Sequence, residues 1–551
     1  MESRSLLALA GNLLTEVSLP KMAAALLLLI VVPAVAVGVA PVLATLWWTK
    51  LSSTPGLYGA SAAALVLGLL AVAWIAGRRL LRTIERSFWS LNAMAIQPGY
   101  VTCREVLLHL AARGERRTRW RAATCVLAGV VIWALSLAVI WFVWPHTHWV
   151  GTLGDFRAPH WLALTALANA TVVGAAYLAV ASFVWCIADA TMPPVQELTT
   201  FRARDALVRS WRVAHLSDIH MVGERYGFRL GSGRAGPRGN DAFVDALRRL
   251  DELHRREPLD AIVITGDLTD AGTPAEWAEW LDALERFPRL APLVLALPGN
   301  HDLNVVDRAN PARLDLPTSP KKRLREVRTL SALDAVQGAR VRVMDETDSV
   351  GHSMERALEP SAAQLIEFAE RGTRKLAKRA DEAWAAVFPM VLLPPSADGL
   401  GIIALNSNAE SHFSFTNALG LVPGDDVRAL GAAIREYPRA TWLVALHHHI
   451  VEHPELGHAL AARIGTTLIN GNWFTRYLRR FETQVVVMHG HRHIDWMGRC
   501  GNLHILSAPS STMPASGRDD VYFYVHTVGV DTAGHVALGA PERVDVSASR
   551  P

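Results

Sequence analysis

Residues 260–270 read DAIVITGDLTD, and this stretch decides the fold of the carboxyl-terminal half. Four apolar residues, 261-AIVI, carry no charge and lead into Thr265, Gly266 and Asp267. A short continuous apolar run that stops at a turn residue is the pattern of a strand buried on both faces. The same pattern recurs upstream in 212-RVAHLSDIH and downstream in 293-LVLALPGNHD, 401-GIIALNSN, 442-WLVALHHH and 484-QVVVMHGHRH. Amphipathic helical text separates several of these runs, as in 241-DAFVDALRRLDELHRR and 275-AEWAEWLDALERF. Strands alternating with helices predict an α/β layered domain over 211–551. Each polar motif follows directly on a strand, where open α/β sheets place their sites.

The strand-end residues form a metal-ligand set. Asp218 and His220 are two apart, as are His491 and His493, and residues two apart on extended chain share a face. Asp267, Asn300 and His447 each follow a different strand. Carboxylate, imidazole and amide oxygen without thiolate suit Mn, Fe, Zn and similar ions. Seven such groups exceed what one ion takes from protein. Two divalent metal ions sharing one bridging carboxylate would use them all. Such a pair, about 3.5–4 Å apart, clamps the attacking and leaving oxygens of an in-line displacement.

DIH at 218–220, GDLTD at 266–270, GNHD at 299–302, the strand-end His447 and GHRH at 490–493, in this order, resemble the calcineurin-like metallophosphoesterase superfamily. The resemblance covers roughly 211–515. It implies a two-sheet α/β sandwich with metals at the strand ends. Asp218, His220 and His493 would hold the first ion, Asn300, His447 and His491 the second, and Asp267 would bridge them. His301 would stabilise or protonate the leaving oxygen, and Asp302 would orient His301. Protein phosphatases of this superfamily place an arginine where Ala271 stands and a glutamate where Asp302 stands. Purple acid phosphatases add a tyrosine that 266-GDLTDAG lacks. The text is most similar to the bacterial group containing cyclic-nucleotide and glycerophosphodiester phosphodiesterases and UDP-diacylglucosamine hydrolases.

Nearby candidates receive structural readings. His448 and His449 are expected to support rather than ligate, His215 to pack in the core, and His412 and Asn408 to be structural. His146, His148 and His160 are expected to be exposed in a loop. The basic cluster 321–328 reads as a solvated helix face. Residues 303–396 break the strand–helix alternation and predict an inserted helical cap.

The first 200 residues differ in kind. Four apolar runs, near 22–48, 58–77, 122–144 and 161–188, contain no charged residue. Each is about as long as the roughly 20 residues a bilayer core requires, so residues 1–192 are expected to form a membrane domain of four transmembrane helices, with 193–210 as a linker. The first run is too long for the apolar segment of a signal peptide. Residues 78–121 hold ten arginines against three glutamates. Positive-inside bias then puts this loop, and after four spans the catalytic domain, on the cytoplasmic side of the cytoplasmic or inner membrane.

Residues 1–200 carry 14 Lys and Arg against 8 Asp and Glu, and the remainder 41 against 43. The site-bearing half thus has no basic excess, and no nucleic-acid partner is expected. Four cysteines without a CxxC pair exclude a disulfide framework or zinc-thiolate site. The expected activity is hydrolysis of phosphate mono- or diesters, with a lipid-linked phosphodiester or pyrophosphate first and a cyclic or other soluble nucleotide second. A regulatory membrane protein that binds a phosphorylated ligand without turnover is the rival of another class. The intact ligand set argues against it.

Overall fold

The computed structural model describes residues 31–52, 97–111, 116–223, 238–304, 320–345, 347–410, 417–453, 468–514 and 520–546, with isolated positions 27, 67, 68, 71 and 466. Two compact units meet at Met192/Pro193.

The described part of the amino-terminal unit contains α1 (Val32–Ser52), α2 (Gln97–Ala111), α3 (Arg116–Val143) and α4 (Pro159–Ala190). Three stretches, Val32–Thr49, Trp120–His146 and Pro159–Ala190, are long and apolar enough to cross a membrane. Of the expected second span, 58–77, only 67, 68 and 71 are described. Leu135, Trp141, Phe142, Leu164 and Val180 are exposed on α3 and α4. Helix α1 packs closely on α4, because a Cβ on Gly38 would stand 1.8 Å from the Ala166 carbonyl oxygen. The buried Asn169 amide donates to the Gly38 carbonyl at 2.9 Å and to the His148 carbonyl. His148 also lies 3.1 Å from the Asp155 carboxylate, so this loop histidine is partnered.

The apolar run 161–188 ends one residue before a buried acid. Asp189 accepts hydrogen bonds from Arg104 at 2.7 Å, Arg121 at 3.0 Å and Tyr100 at 3.1 Å. A buried carboxylate is tolerated when paired and hydrogen-bonded in this way. Two arginines of the basic 78–121 segment therefore serve the interior of this unit.

In the carboxyl-terminal unit fifteen strands are described. They are β1 (Val195–Glu197), β2 (Arg209–Leu216), β3 (Ala261–Ile264), β4 (Val294–Ala296), β5 (Arg342–Met344), β6 (Val350–Ser353), β7 (Met390–Leu392), β8 (Leu400–Ala404), β9 (Thr441–Ala445), β10 (Val485–His489), β11 (Trp496–Cys500), β12 (Leu503–Ser507), β13 (Tyr522–Val530), β14 (Val536–Leu538) and β15 (Glu542–Asp545). One sheet has the order β1-β11-β12-β10-β9-β8-β7-β5-β6. The other has the order β14-β13-β2-β3-β4, with β15 on β13. Pairing is parallel through β2–β3–β4 and through β8–β9–β10–β12, and antiparallel at the margins.

Alternation shows how the sheets meet. Ile402 and Ala404, Leu443 and Ala445, and Val486 and Met488 are two apart, so each pair shares a face. All six belong to one buried cluster with Val213, Leu216, Ile262 and Ile264 of the smaller sheet. The opposite face, with Ile403, Trp442, Val444 and Val487, is fully buried as well. A strand covered on both sides must be apolar throughout, which is why these motifs read as unbroken apolar runs. Helices α5 (Arg238–Arg256) and α6 (Pro274–Glu285) follow β2 and β3. They add Phe243, Leu247, Trp277 and Trp280 to the core.

Three expectations are corrected. Residues 303–396 are not simply a helical cap. Within them α8 (Pro320–Gln337) buries Leu330 and Leu333 in the main core, and β7, β5 and β6 extend the larger sheet. Short strands of three or four residues carry too little periodicity to be read beside long charged helices. The linker 193–210 contains β1, which forms the edge of the larger sheet, its Val195 pairing with Cys500 of β11. The face 321–328 is not solvated, since Lys322, Arg323 and Arg325 are buried. Arg323 pairs with Glu326 at 2.7 Å and Asp381 at 2.8 Å, and Arg325 donates to the Leu303 carbonyl at 2.6 Å.

Strand β4 ends its sheet, and its outer edge is capped by a side chain. Gln337 accepts from the Ala296 amide at 2.8 Å and donates to its carbonyl at 2.9 Å. Gln337→Leu removes both partners and leaves two buried groups unpaired, which costs about 2–4 kcal/mol. Urea unfolding of the variant should show that loss. A change within about 0.5 kcal/mol would mean the edge is satisfied otherwise.

Candidate metal centre

The parallel centres of the two sheets deliver their strand ends to one place. Backbone hydrogen bonds continue past the strands: the Asp218 amide donates to Gly266 O at 3.0 Å, His220 to Asp267 O at 2.9 Å, and Gly490 to His447 O at 3.1 Å. Ser510 Oγ donates to Asp218 O and Thr512 Oγ1 to Ile219 O, both at 2.7 Å, fixing the DIH turn from the far end of the chain.

Asp218, His220, Asp267, His491 and His493 have φ of 53°, 51°, 51°, 73° and 53°. Left-handed backbone costs a side-chain-bearing residue roughly 1–2 kcal/mol. Such outliers persist where the surroundings over-determine them, and they gather at functional sites. Here they turn five side chains inward from the ends of β2, β3 and β10. Gly299 completes the turn opposite, because a Cβ there would stand 2.1 Å from Asp267 Oδ1.

Two donor groups result. In one, Asp218 Oδ1 lies 3.2 Å from His493 Nε2, which is 3.4 Å from His220 Nε2. In the other, His447 Nε2 lies 3.3 Å from Asp267 Oδ1, 3.0 Å from Asn300 Oδ1 and 3.1 Å from His491 Nδ1. Asp267 joins them, with Oδ2 3.6 Å from His220 Nε2. His447 Nδ1 donates to the Thr265 carbonyl at 2.8 Å, which aims Nε2 at the cluster. Ring nitrogens this close repel through their lone pairs unless a proton or cation stands between them. Nitrogen and oxygen donors without sulfur fit two divalent ions of the Mn, Fe or Zn type. Asp218, His220 and His493 can hold one, Asn300, His447 and His491 the other, and Asp267 both.

Electrostatics agree with the geometry. Burial opposes ionisation of Asp267, yet His447 and His301 hold its carboxyl well below the usual range. Burial opposes charge on His447 too, but Asp267 raises it to about 9. At His491 burial, reinforced by the neighbouring His448, His447 and His449, holds the imidazole well below its usual range.

His301 lies at the rim. Its amide donates to Asp267 Oδ1 at 2.8 Å and its Nδ1 to the Asp270 carbonyl at 2.8 Å. The residue expected to orient it, Asp302, is corrected to another task. Asp302 accepts from the amides of Thr269 at 2.8 Å, Gly299 at 2.8 Å and Leu268 at 3.2 Å, and from Thr269 Oγ1 at 2.6 Å. It thereby ties the GDLTD loop to the short helix α7 (Asn300–Leu303). Asp270 takes the orienting position, with Oδ1 3.2 Å from His220 Nδ1 and 3.8 Å from His301 Nδ1. The second aspartate of GDLTD was its signal in the sequence. Ser510 and Thr512 lie in no recognisable motif.

His448 is held by Ser407 Oγ at 2.9 Å with its ring packed on His491 at 4.4 Å, and His215 packs in the core against Thr265 Oγ1 at 3.1 Å. Asn408 donates to the Pro298 carbonyl at 3.0 Å. His412 lies outside the described residues.

Residues 212–364 match the family model described as calcineurin-like phosphoesterase. A cAMP/cGMP dual specificity phosphodiesterase of Mycobacterium tuberculosis is 31% identical over 231 residues. The match takes in 40% of this chain and 61% of the relative, so the chain spans about three fifths of that relative's length. A dimetal phosphatase structure from Danio rerio aligns over 62% of this chain and 99% of its own, at 14% identity and a TM-score of 0.35.

Asp302→Asn places an amide donor against amide donors. It should lower the melting temperature and weaken metal retention together, by about 2–4 kcal/mol in unfolding free energy. Unchanged stability and metal content with reduced turnover would return Asp302 to a role through His301.

Proposed function

We propose that the carboxyl-terminal unit hydrolyses phosphoric esters with two divalent metal ions, and that its substrates are phosphodiesters or a lipid-linked pyrophosphate rather than phosphomonoesters. The observation that carries this reading is the inward turn of Asp218, His220, Asp267, His491 and His493 on left-handed backbone. A fold tolerates five such outliers together when the side chains have a shared task.

Bound divalent ions supply charge stabilisation and an activated water for in-line attack on phosphorus. The residues supply the rest. Asp218, His220 and His493 hold one side of the centre, Asn300, His447 and His491 the other, and Asp267 keeps the two in register. His301 donates its Nδ1 proton to the Asp270 carbonyl. In the imidazolium form it retains an Nε2–H for the leaving oxygen as the ester bond breaks. Asp270 is thus a positioning residue for both His220 and His301.

For the alcohol part of the substrate, two readings have separate support. Identity with the mycobacterial phosphodiesterase favours a cyclic nucleotide. Three helices long and apolar enough to span a bilayer favour a lipid-linked phosphodiester or pyrophosphate met at the membrane. Purified full-length protein with Mn²⁺ should hydrolyse one of these classes. Failure on both, with turnover confined to phosphomonoesters, would overturn the phosphodiester assignment.

His301→Ala should retain both ions and lose turnover. The loss should be about 10²–10⁴-fold for poor leaving groups and much smaller for nitrophenyl esters, which need little protonation. Equal losses across leaving groups would remove the acid role.

The arginine-rich segment 78–121 supports a cytoplasmic position for that segment and, with four spans, for the catalytic unit. A reporter active only outside the cytoplasm, fused after Pro551, should stay silent. Strong reporter activity would reverse the topology or change the number of spans.

A further inference from the structure

The outer face of one helix in the carboxyl-terminal unit has a composition that the proposed reaction does not use. Helix α9 (Gly471–Leu478) and the single turn Arg479–Phe481 that follows it read GNWFTRYLRRF. One side, with Phe474, Thr475 and Leu478, is buried. At about 100° per residue, the other side carries Trp473, Arg476, Tyr477 and Arg480. Trp473 is 43% exposed, and Arg480 is exposed as well. Aromatic rings follow one another along this side, with centroids 6.3 Å apart for Trp473 and Tyr477 and 5.8 Å for Tyr477 and Phe481. The Arg480 guanidinium lies over the Tyr477 ring at 5.3 Å, a cation–π contact. A helix whose outer side meets only water is expected to be polar there.

The face is also positive. Residues 471–482 hold Arg476, Arg479 and Arg480 against the single acid Glu482. Glu482 lies 3.6 Å from Arg479, and Arg480 meets no carboxylate among the described residues. Arg435 adds a further charge: a Cβ on Gly431 would run into the Tyr477 hydroxyl, with Arg435 Nη1 3.2 Å away. The chain enters the unit beside this helix. Val195 pairs with Cys500, whose thiol faces the Pro193 carbonyl at 3.8 Å. A Cβ on the next residue, Gly501, would stand 2.8 Å from Arg479 Nε. Asn502 donates to Glu482 through its amide at 3.3 Å and its side chain at 3.0 Å. Pro193 comes only three residues after Ala190, the end of α4, which is at most about 11 Å of extended chain.

We propose that the outer face of α9 docks on the surface of an anionic lipid bilayer. Tryptophan and tyrosine settle at headgroup level, and arginines beside them meet lipid phosphates. A helix with an aromatic and basic outer face lies in the plane of the interface. The inference rests on the reading of α1, α3 and α4 as membrane spans. A unit tethered so closely to α4 stays within reach of the bilayer that α4 would cross. Arg480 and Phe481 precede β10, whereas His491 and His493 follow its far end. Docking therefore orients the catalytic unit and does not touch substrate.

A depth measurement on the full-length protein tests this. The chain carrying a nitroxide on Trp473→Cys is reconstituted into phosphatidylcholine nanodiscs, with or without phosphatidylglycerol. A label on Ile366→Cys, at an exposed position on another helix, serves as the aqueous reference. Protein without an introduced cysteine corrects for labelling of the native four. With phosphatidylglycerol, the ratio of oxygen to nickel-chelate accessibility at 473 should be several times that at 366. Omitting phosphatidylglycerol, or adding Arg480→Glu, should lower that ratio severalfold. A label at 473 as wet as the one at 366 in both lipid mixtures would overturn the proposal. So would spin–spin coupling between two chains without lipid contact, which would assign the face to a second copy. A ratio indifferent to phosphatidylglycerol and to Arg480→Glu would overturn the choice of an anionic surface. Should Trp473→Cys fail to fold, a label on Arg480→Cys reads the same face. Protein that stays dissolved without detergent or discs would overturn the membrane reading itself, a failure distinct from a wet label in the disc.

Discussion

A buried carboxylate, Asp267, stands between histidines that arrive from three other strand ends, and the rest of the site is built to hold it there. Its backbone is left-handed, its Oδ1 accepts the His301 amide, and Gly299 leaves no room for a side chain beside it. Asp302 then clamps the loop that follows it through two amides and a hydroxyl, and holds the Gly299 amide as well. An ionised carboxylate this far from water survives only when compensated by cations. Without ions, protonated His447 balances that charge, and bound divalent ions would take over the task as His447 gives up its Nε2 proton to ligate. Strain in the loops, close approach of glycine and the convergence of two parallel sheet centres all answer to that one requirement.

Much of this was legible in the sequence because both signals are local. The apolar runs of β3, β4, β9 and β10 are unbroken and each leads into a residue of the cluster, as β2 does with His215 inside its run. Asp218, His220, Asp267, Asn300, His447, His491 and His493 come together as their strand-end positions imply. What escaped was tertiary. Asp302 and Asp270 are both acids near His301, and only hydrogen-bond geometry assigns one to the loop and the other to the imidazole. Strands β5, β6 and β7 are three or four residues long and lie among charged helices, so 303–396 read as a cap. The burial of Arg323 and Arg325 depends on partners such as Asp381 and Leu303 that no helical periodicity reveals.

The amino-terminal unit shows the same limit in another form. Its apolar runs announce long helices, three of which are described. Counting charges along the sequence placed none inside the spans, yet Asp189 is buried at the end of α4 with Arg104, Arg121 and Tyr100 upon it. Arginines that appear as a uniform basic segment thus divide between an internal polar cluster and whatever surface the others face. A buried polar network of this kind is weak evidence for added stability, and Asn169 makes a second such link between α1 and the loop after α3.

Electron paramagnetic resonance of the full-length protein loaded with Mn²⁺ bears most directly on the proposed dinuclear centre. Two ions about 3.5–4 Å apart across a shared carboxylate are exchange-coupled. The protein should therefore give the multiline spectrum of a coupled pair, and Asp267→Asn should abolish it. A wild-type spectrum of isolated Mn²⁺ alone, with one ion per chain, would contradict the bridging role of Asp267 and the two-metal chemistry built on it.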